Sequence, residues 1–257
     1  MNTATFNNRV TPYAADAPSK PGNRFTGAAV VIGTALLSFA PIGVLGPAIG
    51  WPASLGAPAA QQLAGILGAP GAVAGGYGLY LLYSLLVLPA MVLVARRVFG
   101  SLAHPLAQLV VAFAAISVLA RTIGILRWLT VMPQLAAAHS AADGSGRATI
   151  EVLFRALTTY GGGIGELLGV GLFMAISMGL AMGGALARRS LPAWLAGLGL
   201  VSAALLLAMF LPAVGVAVKV PVAIAASLVS VWMLAFGLWI AFAKSARPAI
   251  AATVMTR

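Results

Sequence analysis

Six long apolar runs alternate with short polar or basic stretches along the chain. Each run is long enough for an α-helix, which needs about 20 residues to cross a bilayer. None shows the strict two-residue alternation of a membrane β-barrel. The pattern therefore predicts an all-α polytopic membrane helix bundle, with a kink at Pro41 in its first helix. The six predicted transmembrane helices cover residues 25–49, 73–95, 105–132, 163–187, 191–214 and 220–242.

Composition supports this pattern and excludes several classes of protein. Hydrophobic residues make up 61% of the chain and charged residues 7%, whereas soluble domains carry roughly 25% charged residues. The absence of cysteine excludes disulfides and thiolate chemistry. A net charge of +11 by itself suggests nucleic acid as a partner. We expect no nucleic-acid partner, because nearly all the charges lie at the ends of apolar runs.

The basic residues predict the orientation, since cytoplasmic flanks are enriched in Lys and Arg. With six spans, both termini are predicted to be cytoplasmic, and five or seven spans would break the rule. Ten basic residues then share the cytoplasmic side: Arg9, Lys20, Arg24, Arg96, Arg97, Arg188, Arg189, Lys244, Arg247 and Arg257. The outer side has only Arg147, Arg155 and Lys219 outside the spans, and the 51–72 loop carries no charge.

The same pattern divides the chain into a transmembrane domain and two tails. We predict a disordered cytoplasmic tail at 1–24, a six-helix transmembrane domain at 25–243 and a cytoplasmic tail at 244–257. A cleaved signal peptide is the alternative for the N-terminus. It is disfavoured because the polar stretch before the first apolar run is too long for a usual basic n-region.

Two short helices are predicted outside the spans. Residues 149–160 carry an apolar face at i, i+3, i+4 and i+7, which predicts an interfacial helix before the fourth span. That face is formed by Ile150, Leu153, Phe154 and Leu157. Arg147, Glu151 and Arg155 recur every four residues on another face, where they can pair. Glycines at 161–163 predict a turn into the fourth span. Residues 57–67 predict a second short helix, which either lies at the interface or, as we favour, simply packs over the bundle.

Three charged residues fall within the spans, namely Arg121, Arg127 and Glu166. A charge at the centre of a transmembrane helix costs about 2.5–3.5 kcal/mol on insertion scales. All three are predicted to lie at similar depth near the outer boundary. An ion pair between Glu166 and either arginine is the cheapest arrangement. A purely structural role for such a pair, which would lock the third and fourth spans together, stays open as an alternative.

Aromatic residues surround the same depth. Tyr77, Tyr80 and Tyr83 recur every three residues in the outer half of the second span, either as an aromatic belt or as a cavity wall. Trp128 is an interfacial anchor or a stacking surface. We predict an outward-facing polar cavity, and its two arginines against one glutamate favour an anionic or zwitterionic group such as a lipid headgroup. Its predicted ligand-binding residues are Tyr80, Tyr83, Arg121, Arg127, Trp128 and Glu166.

No complete catalytic, metal or cofactor motif accompanies these residues, so no cofactor is expected. His104 and His139 fall on opposite sides of the membrane in this topology. The favoured hypothesis is a binding or transport protein. The alternatives are a structural or regulatory protein acting through a partner, and a lipid-modifying enzyme that uses Glu166 as a general base. The spacing Gly165–Gly169, repeated at 179 and 183, predicts close internal helix packing.

Two stretches resemble a known family. The sequence ILRWLTVMPQLA, which contains Arg127, Trp128 and Pro133, and the later GIGELLG, which contains Glu166, are similar to motifs of a bacterial membrane family. That family is catalogued as domain of unknown function 4386. The resemblance covers residues 25–243 and implies a six-span protein of the bacterial cytoplasmic (inner) membrane. It also implies that the segments around Arg127 and Glu166 form the recurring core.

Overall fold

A computed structural model of the protein describes residues 21–218 and 220–243, and within these ranges it contains helices and no strands. Lys219, most of the predicted N-terminal tail and the tail at 244–257 lie outside the described residues. The α-helices are α1 (Pro21–Leu37), α2 (Ala40–Ile49), α3 (Ala59–Gly68), α4 (Pro70–Phe99), α5 (Pro105–Leu129), α6 (Val131–Ala141), α7 (Gly144–Gly162), α8 (Met174–Arg188), α9 (Ala193–Phe210) and α10 (Val222–Phe242).

Six helical segments in the described residues are long and apolar enough to cross a membrane, which confirms the predicted six-span bundle. They are Arg24–Ile49, Pro70–Phe99, Pro105–Ala141, Gly144–Arg188, Ala193–Val214 and Ile224–Phe242. The chain is therefore a multi-pass membrane protein in contact with lipid. The cytoplasmic position of its termini stays a prediction.

The spans form a closed ring in chain order. Each span packs against the one before it and the one after it, and α1 closes the ring against α10. Side-chain hydrogen bonds to carbonyl oxygens join neighbouring helices, as when Ser177 Oγ donates to the Val110 oxygen at 2.8 Å. Likewise, Trp232 Nε1 of α10 donates to the Leu195 oxygen of α9 at 3.1 Å. These bonds satisfy polar groups that lipid could not.

The first span is broken where the sequence predicts a kink. Helix α1 ends at Leu37 and α2 begins at Ala40, with Pro41 in its first turn. Proline is tolerated in a first turn because its missing N–H has no intrahelical acceptor there. The prediction of a kink at this proline is confirmed.

The third and fourth spans continue well beyond the length that a bilayer needs. The helical segments cover 37 and 45 residues; at about 1.5 Å per residue the longer one exceeds a 30 Å hydrocarbon core roughly twofold. Their extensions, α6 and α7, pack against each other. Asp143 begins α7 by accepting a hydrogen bond from the Gly146 N–H at 2.8 Å.

Two details of this hairpin differ from the sequence-based expectation. The chain does not turn at residues 161–163, because helical hydrogen bonding continues through them and into the fourth span. The predicted interfacial helix at 149–160 is thus part of the longer α7, and its position at a membrane surface stays a prediction. Glu151 pairs with His139 of α6 at 3.2 Å rather than with Arg147 or Arg155, because α6 packs along that face.

A second hydrophobic core lies apart from the core of the bundle. Helix α3 confirms the second predicted short helix, and it packs against α6 and α7. We call α3, α6 and α7 the cap. Its core also includes residues from the adjoining ends of α2, α4 and α5; the buried members are Leu45, Ala59, Leu63, Ile66, Val73, Tyr77, Ile125, Trp128, Met132, Leu135, Ala136 and Phe154.

Between α7 and α8 the chain forms a π-helix, Gly163–Phe173. In a π-helix the backbone bonds run from residue i+5 to residue i, and here the Met174 N–H donates to the Gly169 oxygen. A Cβ on Gly165 would lie 3.2 Å from the Gly124 Cα of α5, so the backbones meet almost directly. The expected close packing at Gly165 and Gly169 is confirmed. At 179 and 183 the expectation is wrong, since a Cβ added to either glycine would meet no neighbouring atom within 4 Å.

Candidate functional site

A small pocket lies where the cap meets the bundle, and its wall contains Arg121, Arg127 and Glu166, the three charged residues that the sequence places within the spans. Helix α4 contributes two tyrosines, α5 contributes two arginines and a tryptophan, and the π-helix contributes a glutamate. Its wall is formed by Leu55, Tyr77, Tyr80, Arg121, Gly124, Ile125, Arg127, Trp128, Gly161, Gly165, Glu166 and Val170. We call this the charged pocket.

Arg121 is the most deeply placed charge in the charged pocket. Its side chain is only 6% exposed. The guanidinium carbon lies 4.9 Å from the centre of the Tyr83 ring, a cation–π distance, and its charge also interacts with Tyr80. The aliphatic stem lies against Gly169, where an added Cβ would come within 2.9 Å of Cγ. Its buried Nε has no hydrogen-bond partner.

Arg127 bends back along its own helix. Nη1 donates to the Gly124 oxygen at 2.6 Å, and the guanidinium carbon lies 5.3 Å from the Trp128 ring centre. Room for this side chain exists because residue 161 is glycine, since a Cβ there would lie 2.6 Å from the arginine Cδ. The buried Nε of Arg127 also lacks a partner. Nη1 is therefore bonded within the protein, whereas the buried Nε donor is left without an acceptor.

Trp128 is a packed wall residue rather than an exposed anchor. Its ring is stacked on Tyr77 with the centroids 4.8 Å apart and an angle of 2° between the planes. Phe154 of α7 lies edge-on to it at 6.2 Å. The buried hydroxyl of Tyr77 has no hydrogen-bond partner. The stack therefore places another unsatisfied donor beside the two arginines.

Glu166 projects from the π-helix into the wall of the charged pocket and is half-buried. Its charge interacts with that of Arg127. The expected ion pair is nevertheless wrong for both arginines, because His139–Glu151 is the one contact at ion-pair distance among the described residues. Arg127 instead bonds its own helix and Arg121 packs on Tyr83. The pocket thus keeps two cations and one anion without direct pairing.

The charged pocket is small. Its free volume is about 30 Å³, enough for one or two water molecules. A second chamber of about 150 Å³ adjoins it beneath α3. Binding of a group larger than water in the charged pocket therefore requires movement of side chains in its wall.

Five of the six predicted ligand-binding residues come together in this wall: Tyr80, Arg121, Arg127, Trp128 and Glu166. Tyr83 does not line the pocket. It stacks on Tyr80 at 6.1 Å and lies behind Arg121 in the core of the bundle. Within the described residues, no three His, Asp or Glu side chains cluster as a metal site would require.

The predicted ligand-binding residues omit Tyr77 and the glycines of the wall, although the sequence groups Tyr77 with the other tyrosines and predicts close packing at Gly165. Tyr77 precedes Tyr80 by three residues, so it shares that face of α4, and this spacing is visible in the sequence. Gly161, Gly165 and Gly169 recur every four residues and form the stripe of the fourth span that faces α5. Gly161 belongs to the stretch for which the sequence predicts a turn. It can be identified because it continues the four-residue glycine spacing beyond the predicted start of the fourth span.

Comparison with known proteins adds the family but no activity. The family model described as Domain of unknown function (DUF4386) matches residues 25–242, a range that includes all six spans and the whole of the charged pocket. No curated protein and no solved structure matches the chain. The match covers well over half of the chain, so this membrane protein belongs to the DUF4386 family.

Proposed function

We propose that this protein binds or transports a small or lipidic anionic or zwitterionic ligand, whose charged group occupies the charged pocket. The observation that carries the proposal is the pair of arginines that face one glutamate without an ion pair. Three buried donors at this site, on Tyr77, Arg121 and Arg127, lack acceptors. Leaving a buried donor unsatisfied costs about 1–3 kcal/mol, and an anionic oxygen would satisfy it.

The setting of the site agrees with a bacterial cytoplasmic membrane protein that binds its ligand from the outer face. The topology predicted from the basic residues places the cap outside, since it carries few Lys or Arg residues. A phosphate or carboxylate reaching the pocket then comes either from a soluble compound or from the headgroup of an outer-leaflet lipid. Both sources present the same chemistry to the two arginines.

Ligand-dependent thermal stability tests the proposal. The protein is placed in micelles of dodecyl maltoside, an uncharged detergent, and its unfolding temperature is measured with and without inorganic phosphate. A second set of micelles contains added phosphatidylglycerol, which tests the lipid source. A ligand at 100 times its Kd stabilises by about 2.7 kcal/mol, so saturating ligand raises the unfolding temperature by several degrees.

Charge-neutral variants show whether the charged pocket is responsible. Arg121→Gln and Arg127→Gln are expected to abolish the stabilisation by ligand. Arg155→Gln is the matched control, because that residue is exposed on α7 and lies outside the pocket. If folded Arg121→Gln and Arg127→Gln keep the full ligand effect, the proposal is wrong. If no anionic probe stabilises the wild-type protein, a structural role for the cluster is favoured instead.

A further inference from the structure

The chamber beneath α3 shares a wall with the charged pocket. Three side chains line both: Leu55, Tyr77 and Trp128. Most of the chamber's surface is apolar, with Ile49, Ala57 and Ile66 beside the shared wall, whereas Ser54, Gln61 and Gln62 contribute polar side chains. A molecule that places a charge beside Arg127 therefore has an apolar compartment directly next to that charge.

The chamber is held in shape by the protein itself. Nε2 of Gln62 in α3 donates to the Ala57 oxygen at 2.8 Å and to the Leu55 oxygen at 3.3 Å. These bonds fix the short 3-10 turn Ala53–Gly56, which closes one side of the chamber. Leu55 is also the one member of the shared wall that is carried by a turn rather than by a long helix. Its side chain can therefore rotate aside without displacing a long helix, while the bonds from Gln62 hold the backbone of the turn.

The size and lining of the chamber define what it can accept. Its free volume is about 150 Å³. A cavity of about 150 Å³ lined by aliphatic and aromatic side chains binds benzene. Gln61, which is exposed, also lines the chamber, so the compartment reaches the protein surface. A whole phospholipid is too large for this volume, whereas one ring or a short alkyl segment fits.

We infer that the ligand is an amphiphilic organic anion, whose charged group lies in the charged pocket and whose benzene-sized apolar group occupies the chamber. This inference rests on the proposed function, because the chamber by itself supplies no charge. Together the two compartments fit a ligand in which an anionic oxygen group is bonded directly to an apolar group. A soluble aromatic or short-chain anion has this structure, and so does the first segment of a lipid.

Two matched probes test the inference, namely inorganic phosphate and phenyl phosphate, which differ by the ring. Calorimetry on the full chain in micelles of the uncharged detergent dodecyl maltoside gives the Kd of each. Filling an apolar pocket with even one methylene is worth about tenfold or more. Phenyl phosphate is therefore expected to bind at least about tenfold more tightly than phosphate. Micelles containing phosphatidic acid supply the lipid arm, and displacement of phenyl phosphate by that lipid would assign the lipid as the source.

Substitutions on α3 locate the ring. Gly65→Leu fills the chamber, and it is expected to weaken phenyl phosphate to the affinity of phosphate while leaving phosphate unchanged. Gly65→Ala gives a smaller effect, because a Cβ there meets the nearest atom at an ordinary 3.7 Å. Gly68→Leu is the matched control on the same helix, because nothing lies within 4 Å of a Cβ at that position.

The outcomes separate this inference from the proposed function. If phosphate binds but phenyl phosphate binds no more tightly, the chamber takes no part and the inference is wrong, while the proposed function stands. The same holds if Gly65→Leu and Gly65→Ala both keep the full preference for phenyl phosphate. If neither probe binds the wild-type protein, the proposed function fails, and the inference that rests on it fails too.

Discussion

The contact between α5 and the π-helix is the point where a single methyl group should have the largest effect. An alanine at position 124 would place its Cβ 2.8 Å from the Gly165 Cα and 2.9 Å from the Gly161 oxygen. Carbon atoms prefer a separation of about 3.5–4.0 Å. Both obstacles are backbone atoms, so they cannot rotate away and the helices must separate by roughly 1 Å.

The expected loss follows from two opposing terms. Overpacking costs about 1–3 kcal/mol, and replacing glycine by alanine within a helix recovers about 0.5–1 kcal/mol, so the central values leave a net loss of about 1 kcal/mol. In a protein of this size each kcal/mol lowers the unfolding temperature by about 2–4 °C. Gly124→Ala should therefore unfold several degrees below the wild type.

Thermal unfolding followed by tryptophan emission in detergent measures this difference. Gly179→Ala is the matched control, since no atom lies within 4 Å of a Cβ there and only the gain in helix propensity remains. It should unfold at or slightly above the wild-type temperature. If Gly124→Ala is as stable as Gly179→Ala, the two backbones are not in contact and the packing described for the charged pocket is wrong.

Two further predictions concern individual hydrogen bonds, and a third concerns the predicted topology. Ser117→Ala removes the 2.7 Å hydrogen bond to the Gly169 oxygen; chemical unfolding should show a loss of about 0.6 kcal/mol, typical of such bonds within membranes. Asp143→Ala should lower the unfolding temperature at neutral pH. Backbone hydrogen bonding holds the pKa of this carboxyl below its usual 3.8, so the difference should persist above pH 3.8 and vanish as the carboxyl is protonated at lower pH. Because the chain has no cysteine, Gln61→Cys should react with an impermeant maleimide added outside cells, and Ala103→Cys only after permeabilisation.

Much of the fold was predictable because the bilayer imposes a simple requirement on each span. The six apolar runs, the break near Pro41 and the helix at α3 all follow from local sequence. The glycines at 161–163 misled the prediction because glycine is typical of turns in water. Gly161 instead packs against α5 and allows a close helix approach, and the helix continues through all three glycines.

The site was only partly predictable, because hydropathy does not show how each helix and each side chain is rotated. Hydropathy predicts how deep a residue lies in the membrane, and it therefore grouped Arg121, Arg127 and Glu166 at one level. Hydropathy does not indicate the direction in which a side chain bends or which groups of a neighbouring helix the side chain contacts. The similar depth of these residues suggested an ion pair with Glu166. It is absent because Arg127 donates to a carbonyl oxygen of its own helix and Arg121 packs on the Tyr83 ring.

The sequence by itself determined that this is a six-span membrane protein of the DUF4386 family, with more positive than negative charge at one level of its bundle. Those properties depend on the composition of each segment, which a local window can read. Only the tertiary structure decided that α3, α6 and α7 form a cap, that Gly124 touches Gly165, and that an apolar chamber adjoins the charged pocket. These features depend on helix crossings between segments distant in sequence, where packing selects one arrangement among many of equal hydropathy.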